Sequence, residues 1–452
     1  VKKVTRRWLA ALMVPMMLLM TFGVQSPAAA EEADEPSLEL RVNGAILIDA
    51  DSGKVLYEEN ADQPLGIASM TKMLTEYLMF EAIEDGTITW DQKYHVTDYT
   101  YKVSQDRRLS NVPLRRDGSY TIRELYEAVA IYSANAATIA IAESIAGTEE
   151  EFVSLMNEKA DELGLTDYKF VNSTGLNNSD LQGMHPSNTG GKDENVMPAR
   201  SVAKLAYHLL KEYPEVLDTT KISKKTFREG TSDAIDMMNW NFMLPDLAYE
   251  YPGIDGLKTG TTEFAGHCFT GTAVRDGRRV IAVVMNAVDE KGVGSYEARF
   301  DATRKLFDYG FDKFSETELL PAGHQFKKQK TLNVVKGKEK KVAIATNNPI
   351  SLLVRNDEEK DYKTELVLDD KLVKNGQIQA PIEKGTVIGH VKLVKKDGSD
   401  YDFIDGKTAG AEVVATEDVQ KAGWFSLTLG AIGNFFSNAW KSSTGFVKGL
   451  FE

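Results

Sequence analysis

An α+β fold is predicted for the larger, N-terminal part of this chain: an antiparallel sheet covered by helices, with an added helical subdomain. Three observations predict it. Strand signals sit at both ends of the segment 31–314, at 45–49 and 54–57 and again from 256 to 286, and helical signals lie between them. Two capping-box sequences and a Ser-Ala-Asn interruption cut that middle region into consecutive helices. Beyond Phe314 the pattern changes to short β-rich runs, and beyond Lys421 to an aromatic amphipathic tail.

The elements follow in order. Residues 1–30 read as a secretory signal, with Lys2, Lys3, Arg6 and Arg7 before an apolar run and Ala28-Ala29-Ala30 as a small-residue cleavage site. The mature protein is therefore expected outside the cytoplasm. Residues 45–49 and 54–57 form a hairpin around Asp51-Ser52-Gly53. A helix then starts near Ser69 and stops near Asp85-Gly86, its apolar positions Met70, Met73, Leu74, Tyr77, Leu78 and Ile83 recurring at helical spacing. Residues 87–120 are mixed and polar. Their arginines 107, 108, 115 and 116 read as solvated surface, with contact to an anionic substrate polymer as the other reading.

Thr121 to Glu124 opens a helix to about Tyr132, and Ser133-Ala134-Asn135 interrupts it. A second helix runs to Ala146 and stops at Gly147; Thr148 to Glu151 opens a third, ending at Leu163-Gly164. Residues 165–200 are loop-rich and are expected to wall a cleft. A helix from Ser201 to about Tyr213 follows, with Ser201 near its N-cap and Lys204 exposed. Strands return around Lys258, and 269–274 and 280–286 make a hairpin around Asp276-Gly277. A helix over 295–309 closes the sheet face. Residues 315–418, with β runs at 331–335, 341–345, 351–354, 364–368 and 386–394, read as a small β-sandwich. Residues 419–452 read as an amphipathic helix lying on a membrane surface through 421–452, too polar to span it.

Composition narrows the function. A chain of 452 residues with 42% hydrophobic and 27% charged content holds two or more domains with sizeable cores. A formal charge of −14 argues against nucleic acid as a partner. The single cysteine, Cys268, excludes an internal disulfide and reads as a buried apolar residue. The six histidines show no metal-ligand spacing, so neither a metal nor a cofactor is expected.

The stretch that points to chemistry is Ser69-Met70-Thr71-Lys72. Residues i and i+3 share a helix face, so an amine can reach a serine hydroxyl. A serine is a weak nucleophile until a base removes its proton, and a buried lysine of lowered pKa is such a base. The pattern alone is weak, because Ser201-Val202-Ala203-Lys204 repeats it. Two further elements favour the first copy: Ser133-Ala134-Asn135 and Lys258-Thr259-Gly260 both lie after Ser69, and only the second lies after Ser201. A turn suits Ser133 and Asn135, since it projects both into a cleft. A lysine and a threonine beside a strand edge suit a substrate carboxylate, and Gly260 is expected to leave room there for a ligand backbone.

Together these three elements resemble the set of the serine β-lactamases and penicillin-binding proteins. With the leader, the β-rich second domain and the tail, the chain is similar over nearly its whole length to D-alanyl-D-alanine carboxypeptidases. These are the low-molecular-mass penicillin-binding proteins, here of the Bacillus vegetative type. Matching text includes Leu163-Gly164-Leu165, residues 172–176, Thr261-Thr262 after Lys258-Thr259-Gly260, and Ala265-Gly266-His267-Cys268.

The resemblance implies that Ser69 attacks the carbonyl between the terminal D-alanines of a peptidoglycan pentapeptide and that Lys72 takes its proton. Ser133 relays a proton to the leaving D-alanine, and Asn135 holds substrate and Lys72. Lys258 and Thr259 bind the terminal carboxylate, and the backbone N–H groups of Ser69 and Thr261 form the oxyanion hole. β-Lactams act on such enzymes as covalent inhibitors. One departure is present: some relatives carry Asn-Arg-Asn where this chain has Asn239-Trp240-Asn241, which leaves the further carboxylate-binding group open.

Three alternatives remain on the same scaffold. A class A β-lactamase needs a deacylating glutamate, for which the 165–200 loop offers only Glu194, outside a recognisable pattern. A non-catalytic β-lactam sensor would not need the intact Ser69, Lys72, Ser133 and Lys258. A transpeptidase or endopeptidase differs only in acyl acceptor.

Overall fold

The computed structural model describes residues 38–358 and 361–423. The expected leader (1–30) and the helical tail (421–452, but for its first three residues) lie outside the described residues. The chain divides into two units, Val1–Leu40 and Arg41–Glu452, and all elements below belong to the second.

The sheet that carries the site has five antiparallel strands in the order Val55–Glu59, Gly44–Asp49, Arg278–Met285, Gly266–Arg275, Ile254–Thr262. Its central contact pairs the first strand of the region with the last, Gly44 opposite Met285 and Asp49 opposite Val280. All six residues of Gly44–Asp49 are buried, because both faces are covered. On one face Ile46, Ile48, Ile281, Val283 and Met285 join the core that holds the helices. On the other, Leu47 meets Gly310 of the helix Tyr296–Lys313, whose Phe300 packs on Phe269. Successive strand residues point to opposite faces, so the apolar run serves two layers.

The helix Lys72–Glu84 is buried on nearly all sides, including Lys72, Thr75 and Glu76. The expected one-sided stripe is therefore too narrow a description. This helix runs through the core, packed against the helices Asn135–Ala146, Glu149–Glu162 and Ala199–Glu212. In the helical region the cap signals work as the sequence suggests. Thr121 and Glu124 form a reciprocal capping box, and Ile122–Tyr132 follows. Thr148 accepts from Glu151 N–H ahead of Glu149–Glu162. Residues 87–120 are more ordered than expected, with a helix at Asp98–Ser104 between the paired strands Lys93–His95 and Ser119–Thr121.

The C-terminal region is β-rich with its own apolar core around Leu332, Ile344, Val391 and Val413. Seven strands run in the order 362–368, 387–395, 410–415, 341–346, 331–335, 377–379, 373–374, and Phe314–Leu320 pairs separately with Ile350–Arg355. The strands at 314–320 and 410–415 go beyond the runs expected from sequence. This region is tied to the first sheet by backbone and side-chain bonds. Ile404 N–H donates to Gly53 O (2.8 Å) and Val55 N–H to Asp402 O (2.9 Å). Buried Lys54 donates to Leu353 O (2.6 Å), and Arg200 holds Asp62 and Asp402 together.

Candidate active site

Ser69 sits in a 3-10 turn, Ala68–Thr71, just ahead of the α-helix rather than on its first turn. In a 3-10 turn, residues three apart eclipse each other, which brings Lys72 Nζ to 3.0 Å from Ser69 Oγ. Ala68 holds the left-handed backbone (φ 45), a costly conformation for a residue with a Cβ. Two glycines press on this turn. A Cβ on Gly175 would lie 1.8 Å from Ala68 O, and a Cβ on Gly260 would lie 2.6 Å from Ile67 O. Gly260 thus lets the edge strand reach the nucleophile turn. The expectation that it makes room for a ligand backbone is corrected by this contact.

Lys72 is fully buried and donates to three acceptors: Ser69 Oγ, Asn135 Oδ1 (2.8 Å) and the carbonyl of Thr174 (2.6 Å). Burial and then the charge of Lys258 hold its pKa well below the ordinary lysine range, against the pull of Glu76 and Glu149. Asn135, at the start of its helix, is itself fixed by donating from Nδ2 and N to Ser110 O (3.0 and 2.9 Å). The Thr174 carbonyl is placed by a side-chain knot. Asn172 Oδ1 accepts from Thr174 N, Thr174 Oγ1 and Gly175 N, and Thr75 Oγ1 donates to Ser173 O. The 165–200 loop, expected to wall the cleft, instead holds Lys72 and Thr75 through a bonded lattice, and the cavity lining comes from other segments.

Ser133 ends the helix Ile122–Tyr132 in the left-handed conformation (φ 57), which turns its hydroxyl into the cleft. There Lys258 Nζ donates to Ser133 Oγ (2.8 Å) and to Thr259 O (3.1 Å). Lys258 is buried on the edge strand, and burial lowers its pKa while Glu76 opposes that shift. A cavity of about 250 Å³ opens above these groups, lined among others by Ser69, Ser133, Thr259 and Thr261.

Three lining residues complete the picture. Arg299, almost fully buried on the helix Tyr296–Lys313, donates to Thr261 Oγ1 (2.9 Å), and its Nε has no partner. Burial brings its pKa down to about 10. Sequence reasoning missed it, because no local pattern marks a lone helix arginine. It supplies a cation beside Thr259 and Thr261. Trp240, in the Asn239-Trp240-Asn241 segment, instead donates from Nε1 to Ser110 Oγ and Tyr132 O and stacks on Tyr132 and Tyr296. It gives the cleft an aromatic wall. Arg108 also lines the cavity, paired with Asp106. It stands at the rim with its side chain exposed, so the solvated-surface reading fits it as it fits Arg115 and Arg116, paired with Asp117 and Asp98 on the exterior.

The second Ser-x-x-Lys is not a pair. Ser201 is buried inside its helix, not at the cap, and exchanges bonds with Thr166 O and N (3.0 Å each), while half-buried Lys204 reaches Gly164 O. Cys268 is fully buried with its thiol pushed up to about 11 by burial, so it is no nucleophile at neutral pH.

A family model described as D-alanyl-D-alanine carboxypeptidase matches residues 29–289, and one described as penicillin-binding protein 5, C-terminal domain, matches 314–421. The chain is 33% identical over 431 residues to the D-alanyl-D-alanine carboxypeptidase DacF of Bacillus subtilis, covering 95% of this chain and 99% of that one. It is similar in structure to a peptidoglycan synthesis regulatory factor (PBP3) from Streptococcus pneumoniae, with TM-score 0.70, 36% identity, and 84% and 100% of the two chains covered. Penicillin-binding protein D2 from Listeria monocytogenes, in its ampicillin-bound form, matches at TM-score 0.50 and 32% identity, covering 61% of this chain and 100% of that one.

Proposed function

Because the chain belongs to the D-alanyl-D-alanine carboxypeptidase family and is a serine-type hydrolase of peptidoglycan metabolism, we propose that Ser69 is its acylated nucleophile. The observation that carries this is the double lysine contact, Lys72 on Ser69 and Lys258 on Ser133, within one cleft. In the reactive form neutral Lys72 accepts the Ser69 proton as Oγ attacks the carbonyl of the penultimate D-alanine of a pentapeptide. The tetrahedral oxyanion lies between the backbone N–H groups of Ser69 and Thr261. Its collapse breaks the peptide bond, and Ser133 passes a proton to the leaving D-alanine amine, steadied by Lys258. Water then takes the place of the leaving amine and hydrolyses the ester on Ser69.

Thr259, Lys258 and Arg299 receive the terminal carboxylate. To Arg299 we assign the place of the missing Asn-Arg-Asn arginine; its guanidinium beside Thr261, with Nε lacking a partner, supports this. A β-lactam, presenting a carboxylate and a strained amide, acylates Ser69 in the same way. Asn135 steadies both Lys72 and the acyl side of the substrate.

The same reading divides the chain into a leader (1–30), a peptidase domain (31–314), a β-rich domain (315–418) and a membrane-lying helix (419–452). The change to a separate apolar core after Phe314 supports the inner boundary. Among the described residues no helix is long and apolar enough to cross a membrane. A peripheral place on the outer face of the cell membrane, held by 421–452, fits the +2 charge of Lys421, Lys441, Lys448 and Glu452 in that stretch.

The test is D-alanine release from a pentapeptide with parallel covalent penicillin labelling. Ser69→Ala is expected to abolish both and Ser201→Ala neither; labelling that persists in Ser69→Ala overturns the site. Deleting the chain from Lys421 on is expected to move the protein from the membrane to the soluble fraction.

A further inference from the structure

Glu76 takes no part in the steps above, yet it lies in the floor of the site. It follows Lys72 by one helical turn, is 2% exposed, and its Oε1 has no hydrogen-bond partner. The other buried carboxylate nearby, Glu149, is fully bonded: Ser173 donates from N and Oγ (2.9 and 2.6 Å) and Tyr99 from its hydroxyl (2.6 Å). Glu76 has no such support. What faces it is charge: Lys72 on its own helix and Lys258 on the edge strand, with the Tyr126 phenol on the neighbouring helix. A buried carboxyl oxygen with no bond partner is costly in either protonation state, and its place beside two buried lysines calls for an electrostatic role.

We propose that Glu76 is the counter-charge that sets the working protonation states of Lys72 and Lys258, a positioning residue for the acylation step. Without substrate the floor holds three buried basic groups, Lys72, Lys258 and Arg299, beside the carboxyl groups of Glu76 and Glu149. The terminal carboxylate of the substrate brings a third negative group. Lys72 has to be neutral to accept the Ser69 proton, while Lys258 has to stay charged to meet that carboxylate. Negative charge at Glu76 raises the pKa of both lysines, opposing the drop that burial imposes. Burial in turn raises the Glu76 carboxyl, and the two lysines pull it back.

This proposal rests on the roles given to Lys72 and Lys258 above, and its test separates the two. Glu76→Gln removes the charge and keeps the shape. Both lysines then release protons more easily. The rising limb of kcat/KM, set by neutral Lys72, and the falling limb, set by charged Lys258, both move to lower pH, by about one unit. On the alkaline flank that reads as a loss of about tenfold. Glu76→Asp keeps a charge farther from the lysines and moves both limbs the same way by less. A merely structural role lowers activity equally at every pH. Limbs that stay in place in the Gln variant overturn the proposal; if that variant does not fold, unmoved limbs in the Asp variant do so. Penicillin labelling of Ser69 in the same variants reports separately on the site: labelling present with unmoved limbs rejects Glu76 alone, whereas labelling that survives Ser69→Ala rejects the site.

Discussion

Ser69 with Lys72 and Ser201 with Lys204 are the same four-residue pattern in one chain, and their surroundings make them opposites. The first pair meets at 3.0 Å beneath an open cavity, with the amine buried and ringed by a side-chain amide and a backbone carbonyl. In the second, each side chain turns away to a loop, Ser201 to Thr166 and Lys204 to Gly164. One serine faces a ligand-sized space and the other staples a helix. The difference lies in the backbone, since a 3-10 turn eclipses residues three apart and an α-helix staggers them. It lies also in what distant segments bring: Asn135, Thr174 and Gly260 surround the first pair, whereas among the described residues the second is bonded to Thr166 and Gly164.

The sharpest way to break this contrast is to remove each amine. Lys72→Met is expected to slow penicillin acylation by roughly 10²–10⁴-fold, the usual worth of a positioned base, and Lys204→Met to leave it unchanged. A comparable loss from both would erase the distinction. Next comes the contact that shapes the first turn. Gly260→Ala places a Cβ against Ile67 O and pushes the turn off its geometry, so acylation is expected to fall by about 10²-fold with the fold retained; a rate like wild type would mean the strand and the turn are not coupled. Arg299→Gln tests whether the cavity of the first pair is a carboxylate site. About 10–100-fold should be lost from kcat/KM for a pentapeptide, the scale of a charge-assisted bond, and much less for an ester lacking the carboxylate. The smallest effect belongs to the second pair. Ser201→Ala leaves Thr166 N and O unpaired and is expected to cost about 1–3 kcal/mol in thermal or denaturant unfolding, with D-alanine release intact.

Much of the fold was legible because it is written locally. Threonine caps at 121 and 148, the Asp51–Gly53 and Asp276-Gly277 turns and the apolar strand runs beside them announce themselves within a few residues. The pairing of Ser69, Ser133 and Lys258 was legible as a set of residue types at separate places. What escaped has no residue signature. The Thr174 carbonyl is a backbone atom placed by Asn172. Arg299 matters only because a helix from the end of the domain lies across the sheet. Glu76 reads as one more glutamate until the surrounding helices exclude water from it. Gly260 invited a ligand-based reading because a missing side chain does not say which neighbour needs the space.

The sheet is closed by its first strand pairing with its last, so the order of synthesis has a consequence. A nascent chain carries the nucleophile and its base long before the segment with Lys258, and Gly44–Asp49 waits for Arg278–Met285 with the whole helical region in between. Until the segments after 254 arrive, the reactive pair lacks Lys258 and the contact of Gly260 with its turn. In the order of synthesis the edge-strand side of the site is therefore completed last: Lys258 precedes the closing strand and Arg299 follows it, on the helix Tyr296–Lys313.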